Sequence, residues 1–176
     1  MREKRLNEIK GVILIAAGLI LLASLLSFTP FDLKFYTSHP NIPPKNLIRT
    51  FGANLAGALL FLFGWSAYLI PLYVLFLGMR WFRQETLDLR MPKIVALSVL
   101  LLTVSSLVGL SLDNEYVAFS RGGSLGFLIS HFVNAYFGRL GGYIVFITLA
   151  ILSLALVTEA LISAFFLNIA DRIKSA

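Results

Sequence analysis

The sequence predicts an all-α membrane protein: four transmembrane helices plus one short amphipathic interfacial helix before the last span. Three observations carry this expectation. The chain of 176 residues is 58% hydrophobic and only 14% charged, with a mean hydropathy of +0.84, whereas a soluble domain is about half apolar and about a quarter charged. The apolar residues are gathered into four runs long enough to cross a bilayer, which takes about 17–25 residues. The basic residues are concentrated in alternate connecting segments, which is the pattern that orients membrane helices.

Residues 1–10 form a basic cytoplasmic tail containing Arg2, Lys4, Arg5 and Lys10. The first span covers 11–28. It has the basic flank and apolar centre of a signal peptide, but the candidate cleavage positions pair Leu21 with Ala23 and Leu25 with Ser27. Neither pair is small at both positions, so the segment reads as an uncleaved anchor. Residues 29–50 form an outer loop with Pro30, Pro40, Pro43 and Pro44, where missing amide donors and extended geometry oppose a long helix. The second span, 51–79, is longer than the hydrocarbon requires and is expected to tilt or protrude. A charged cytoplasmic loop, 80–93, leads to the third span at 94–112.

The segment 113–142 contains a fifth apolar stretch, Ser124 to Phe137, that is too short to cross. Within it Leu125, Leu128, Phe132 and Tyr136 follow helical spacing, opposite Ser124, Ser130, His131, Asn134 and Arg139. Glycine pairs at 122–123 and 141–142 bracket this stretch. The pattern predicts an amphipathic helix over 124–140, lying in the outer interface and hinged at both ends. A re-entrant helix packed among the spans is the alternative. The fourth span, 143–167, contains Glu159, and 168–176 begins a cytoplasmic linker.

Ten Lys and Arg residues fall on the side of the two termini and five on the other, at Lys34, Lys45, Arg49, Arg121 and Arg139. The positive-inside rule then places both termini in the cytoplasm. Trp81, between Arg80 and Arg83, marks the cytoplasmic interface.

The second span spends many positions on small residues. Gly52 with Ala56, and Ala53 with Gly57, are two small-xxx-small pairs displaced by one residue, and Gly64 continues the thin side. Helices in lipid gain little from burying hydrocarbon and associate by close packing, which small residues permit. This face is expected to dock another helix of the chain or a second copy. Pro71 is expected to kink the span, because it withholds the amide that would bond the carbonyl of Ala67.

Signs of chemistry are few. Without cysteine, thiol catalysis, disulfides and cysteine-ligated metals are excluded. No G-x-x-x-x-G-K-[ST] sequence is present, so no P-loop lies in these residues. His39 is a lone imidazole and predicts no metal site. Ser124 and His131 invite a serine-hydrolase reading, but as neighbours on one short helix they are better explained as its polar face. No catalytic, cofactor or metal residue is assigned. Glu159, the one acidic or basic residue inside a predicted span, is expected to hydrogen-bond between helices. A proton path would make the chain a small standalone transporter or channel subunit, which is the alternative function.

The stretch "GANLAGALLFLFGWSAYLIPLYVL" at 52–75, the basic N-terminus, the charged loop after the second span and "GGSLG" before the last one together resemble the four-span membrane region of the FtsK/SpoIIIE family of DNA translocases. The resemblance implies a membrane-anchoring and assembly module for chromosome segregation at the division septum, in the bacterial inner membrane. It implies homo-oligomerisation (a hexamer, following the family's motor), neighbouring divisome membrane proteins and no direct contact with nucleic acid. ATP and Mg²⁺ are expected only in a motor domain that these residues do not contain, so the chain itself is not expected to be an enzyme. Ending at Ala176, it reads as a fragment of a longer protein, with a complete small protein as the alternative.

Overall fold

A computed structural model describes residues 2–84 and 91–158. Among them every regular element is helical: α1 (Arg2–Leu26), α2 (Arg49–Phe63), α3 (Leu69–Phe82), α4 (Met91–Ser111) and α5 (Glu115–Thr158). Short 3₁₀ stretches cover Pro30–Asp32 and Gly64–Tyr68. Among the described residues four segments are long and apolar enough to cross a membrane: Lys4–Leu26, Arg49–Phe82, Met91–Ser111 and Glu115–Thr158. Large apolar side chains such as Ile13, Leu72, Phe76, Ile144 and Leu152 point away from the protein. In water this surface would drive aggregation, whereas lipid covers it. The chain is a multi-pass membrane protein.

Two layers of helix pairing build the molecule. α1 runs along α3, α4 along α5, and α2 bridges α1 and α5. Both pairings depend on missing side chains. A Cβ on Gly11 would lie 3.0 Å from the carbonyl oxygen of Gly78, and one on Gly78 would lie 2.9 Å from the amide of Ile15. On the other side, a Cβ on Gly122 would sit 3.0 Å from the Cα of Gly109, and one on Gly109 would sit 2.8 Å from Ser130 Oγ. Gly122 before the break at Gly123, and Gly126 and Ser130 after it, all meet Ser105 or Gly109 of α4, so small residues on both sides of that break line the contact.

Three expectations are corrected. The second span does break, but at Gly64 (φ 57°) and not at Pro71. Pro71 instead sits in the first turn of α3, where a helix needs no amide from it. α5 breaks at Gly123 (φ 71°, ψ 169°) and Gly138 (φ 69°, ψ 174°), so the second hinge lies before Gly141–Gly142. Between these breaks Ser130, expected on a solvated polar face, is buried against α4, while Leu128, Phe132 and Tyr136 are exposed. Leu125 is half-buried. The reason is the solvent: in lipid the close-packing face is the small one, and the bulky apolar face is free to point outward.

Gly123 and Gly138 share a conformation that is essentially reserved for glycine and costs other residues about 1–3 kcal/mol. They differ in surroundings, since a Cβ on Gly138 would meet nothing within 4 Å. One on Gly123 would run into the backbone of Leu62 and Phe63, each at 2.6 Å. Gly123→Ala therefore adds about 1–3 kcal/mol of overpacking to the same strain. It is expected to lower the melting temperature of the detergent-purified protein clearly more than Gly138→Ala; equal effects would contradict this packing.

Candidate functional site: a crossing of two broken helices

The break between α2 and α3 and the first break of α5 lie against each other. The place of a Cβ on Gly64 is occupied by the carbonyl oxygen of Arg121, with the amide nitrogen of Gly123 at 2.6 Å. The place of a Cβ on Gly123 is occupied by the amide nitrogen of Gly64. Backbone thus packs on backbone at both interruptions. Each break also frees carbonyl groups, and a serine covers one at each. Ser66 Oγ donates to Phe63 O at 2.8 Å, and Ser105 Oγ of α4 donates to Gly122 O. Ser66 and Ser105 are both buried. Beside the crossing, Phe61 and Phe119 meet edge to face with ring centroids 5.9 Å apart, and the Arg121 guanidinium lies 4.7 Å from the Trp65 ring centre.

The small-residue face of α2 is occupied within the same chain. Gly52, Ala53, Ala56 and Gly57 are all buried. A Cβ on Gly52 would lie 2.7 Å from Ser24 Oγ of α1, and Gly57 abuts Leu33 and Phe28. Ala56 packs with Leu25 and Ala67. The partners of this face are therefore the end of α1 and the segment that follows it.

That segment is folded about a buried carboxylate. Asp32 accepts hydrogen bonds from Asn41 Nδ2 (2.8 Å) and from the amides of Lys45 (2.9 Å) and Asn46 (2.8 Å). Asn46 in turn donates from Nδ2 to Ser24 O at 2.8 Å and accepts from the Ile48 amide at 3.0 Å. Tyr68 Oη donates to Leu25 O at 3.2 Å, and Ser27 Oγ donates to Ala23 O at 2.6 Å. The last carbonyls of a helix have no partner within it. Here Asn46 of the loop, Ser27 and Tyr68, the last residue of the 3₁₀ stretch before α3, give side-chain partners to three successive carbonyls of α1.

A polar cleft of about 240 Å³ opens where α4 passes to α5, with Asp113, Glu115, Ser130, His131, Asn134 and Arg139 among its walls. Arg139 Nη1 meets Asp113 Oδ1 at 2.5 Å, and Nη2 donates to Ser111 O at 3.2 Å, capping the end of α4. Ser130 Oγ turns back to Phe127 O at 2.9 Å, and the His131 ring stacks on Phe127. Among the described residues no hydrogen bond joins Ser124 to His131, and no three His, Asp or Glu residues gather as metal ligands. At the far end of the spans Lys10 lies 5.6 Å from the Trp81 ring centre, and Gln84 Nε2 donates to Lys4 O at 2.9 Å. Glu159 lies outside the described residues.

Two features escaped sequence reasoning. The Ser105–Gly109 and Gly122–Gly126–Ser130 spacings are small-xxx-small signals that the hinge and polar-face interpretations absorbed. Asp32 carried no signal, because its three donors lie 9 to 14 residues downstream in a proline-rich stretch.

Residues 3–173 match the family described as the 4TM region of DNA translocase FtsK/SpoIIIE. The chain is 34% identical over 133 residues to a DNA translocase FtsK of Shewanella oneidensis, covering 72% of this chain and 14% of that protein. It is 29% identical over 147 residues to the one of Rickettsia bellii, covering 82% of this chain and 19% of that one. The Rickettsia typhi protein is 32% identical over 147 residues, with 83% and 19% covered. The chain thus spans less than a fifth of the length of these curated relatives. No solved structure matches it.

The Asp32 cluster gives a pH prediction. Burial alone would raise its carboxyl pKa, but the Lys45 amide, the Asn41 side chain and the Asn46 amide together hold it below the ordinary carboxylate value. The stabilisation from Asp32 is then complete above the unfolded value of about 3.9, and is lost as pH falls through the lower folded value. Amide exchange at Lys45 and Asn46 is expected to be slow at neutral pH and to lose protection in strong acid. Asp32→Ala should remove that protection at neutral pH, at a cost of about 2–3 kcal/mol for hydrogen bonds to a charged group. Protection unchanged by the substitution would contradict the arrangement.

Proposed function

We propose a function from one premise: this chain belongs to the family of the 4TM region of DNA translocase FtsK/SpoIIIE. In this reading the four spans anchor a cell-division DNA translocase in the bacterial inner membrane at the septum and help its copies assemble. The observation that carries it is the match of residues 3–173, nearly the whole chain, to that region. The relatives named DNA translocase FtsK extend far beyond the matched part. We assign the ATP- and Mg²⁺-dependent motor, and with it DNA contact, to polypeptide outside this region. The partners of the region itself are the bilayer, further copies of the chain (six, following the motor) and membrane proteins of the division machinery.

The distribution of Lys and Arg supports both termini in the cytoplasm. Because the small face of α2 is filled by α1 and the outer loop, self-association would use the exposed apolar surfaces. A transporter would instead need a solvated path or site where the broken helices cross. At that crossing the two backbones are in contact.

Reporter fusions test this function. Green fluorescent protein placed after Ala176 is expected to fluoresce and to gather at the septum of dividing cells, while alkaline phosphatase at the same position stays inactive. Active phosphatase there, or a fusion spread evenly with no septal enrichment, would overturn the reading.

A further inference from the structure

Arg121 stands out among the described charges. It was expected in the segment outside the membrane, yet α5 carries it to the break in the second span, beside Gly64. Its neighbour Gly122 is bonded by Ser105, which precedes the end of α4 at Ser111 by six residues, about 9 Å along the helix axis. The base of the Arg121 side chain is therefore set below the end of α4, beside the break at Gly64. The guanidinium lies on the Trp65 ring at 4.7 Å, and both side chains are exposed, Trp65 by 55%. Phe61 of α2 and Phe119 of α5, which pair with each other, are also exposed. Among the described residues no carboxylate forms an ion pair with Arg121.

A cation held at this depth without an anion is costly, and a long arginine side chain lowers the cost by reaching toward the headgroups. The anion that a bilayer supplies at that level is lipid phosphate. A guanidinium fork matches two phosphate oxygens, and its flat face is free to remain on an indole while its edge binds. We propose that Arg121, supported by Trp65, is a binding site for the phosphodiester of a phospholipid in the leaflet nearest the α4–α5 connection. The exposed rings of Phe61 and Phe119 flank its acyl chains. Through α5 the bound lipid would brace the Gly64–Gly123 crossing. This inference rests on the membrane-anchor reading above, but it can fail while that reading stands.

The test uses the purified full chain in mild detergent. Native mass spectrometry and thermal melting are followed as phosphatidylglycerol is added, with the soluble headgroup glycerophosphoglycerol as a separate arm. The wild type is expected to retain phospholipid and to melt higher with phosphatidylglycerol, but not with the soluble headgroup. Arg121→Gln should weaken retention about tenfold or more, the loss expected for hydrogen bonds to a charged group. Arg121→Lys, which keeps the charge without the fork, should fall between, and Trp65→Ala should weaken retention with the arginine intact. Lipid retention by Arg121→Gln equal to the wild type would overturn the proposal. So would equal stabilisation by the soluble headgroup. A lipid-free wild-type oligomer that Arg121→Gln dissociates would also overturn it, assigning the guanidinium to a carboxylate of a second copy.

Discussion

A break in a membrane helix leaves amides and carbonyls that lipid cannot satisfy, so irregular backbone must be covered by protein. Here two such breaks cover each other. Gly64 and Gly123 each lack the atom that would hold the other chain segment away, and the two interruptions come into backbone contact. The carbonyls released nearby are taken by Ser66 and Ser105. The arrangement is reciprocal, because moving either helix uncovers the other's break. It joins the α1–α3 pair to the α4–α5 pair.

The rest of the molecule follows from that junction. With α2 turned aside at Gly64, its small face meets the end of α1 and not the flank of a straight neighbour. The final carbonyls of α1 in turn take side-chain hydrogen bonds from Asn46, Ser27 and Tyr68. Asp32 fixes Asn46 by binding its amide, so a loop carboxylate holds a helix end in place. On the other side, Gly122 before the first break of α5 and Gly126 and Ser130 after it are small enough to lie on Ser105 and Gly109. The small and polar side chains are spent on contacts inside the protein, which leaves leucine and phenylalanine for lipid.

This division explains what could be read from the residues alone. Span number, span order and the importance of the glycine-rich second span follow from hydropathy and small-residue spacing, and those signals are local. The place of the kink did not follow. Proline advertises a missing amide, but at the first turn of a helix that amide is not needed, and the break lay at a glycine whose reason is a distant backbone. The polar face of the segment after Gly123 was read with water in mind. In lipid a serine such as Ser130 belongs on the packed side, while Leu128 and Phe132 turn outward. Asp32 could not be singled out, because its role exists only once Asn41, Lys45 and Asn46 are folded around it.

The crossing can be tested directly, because the chain has no cysteine to interfere. Phe61→Cys combined with Phe119→Cys places two thiols at the rings that flank it, and a short bifunctional maleimide is then applied in native membranes. Efficient cross-linking within one chain, lost when Gly64→Leu is added to force the breaks apart, is the result expected here. No intramolecular cross-link, or one indifferent to Gly64→Leu, would contradict it.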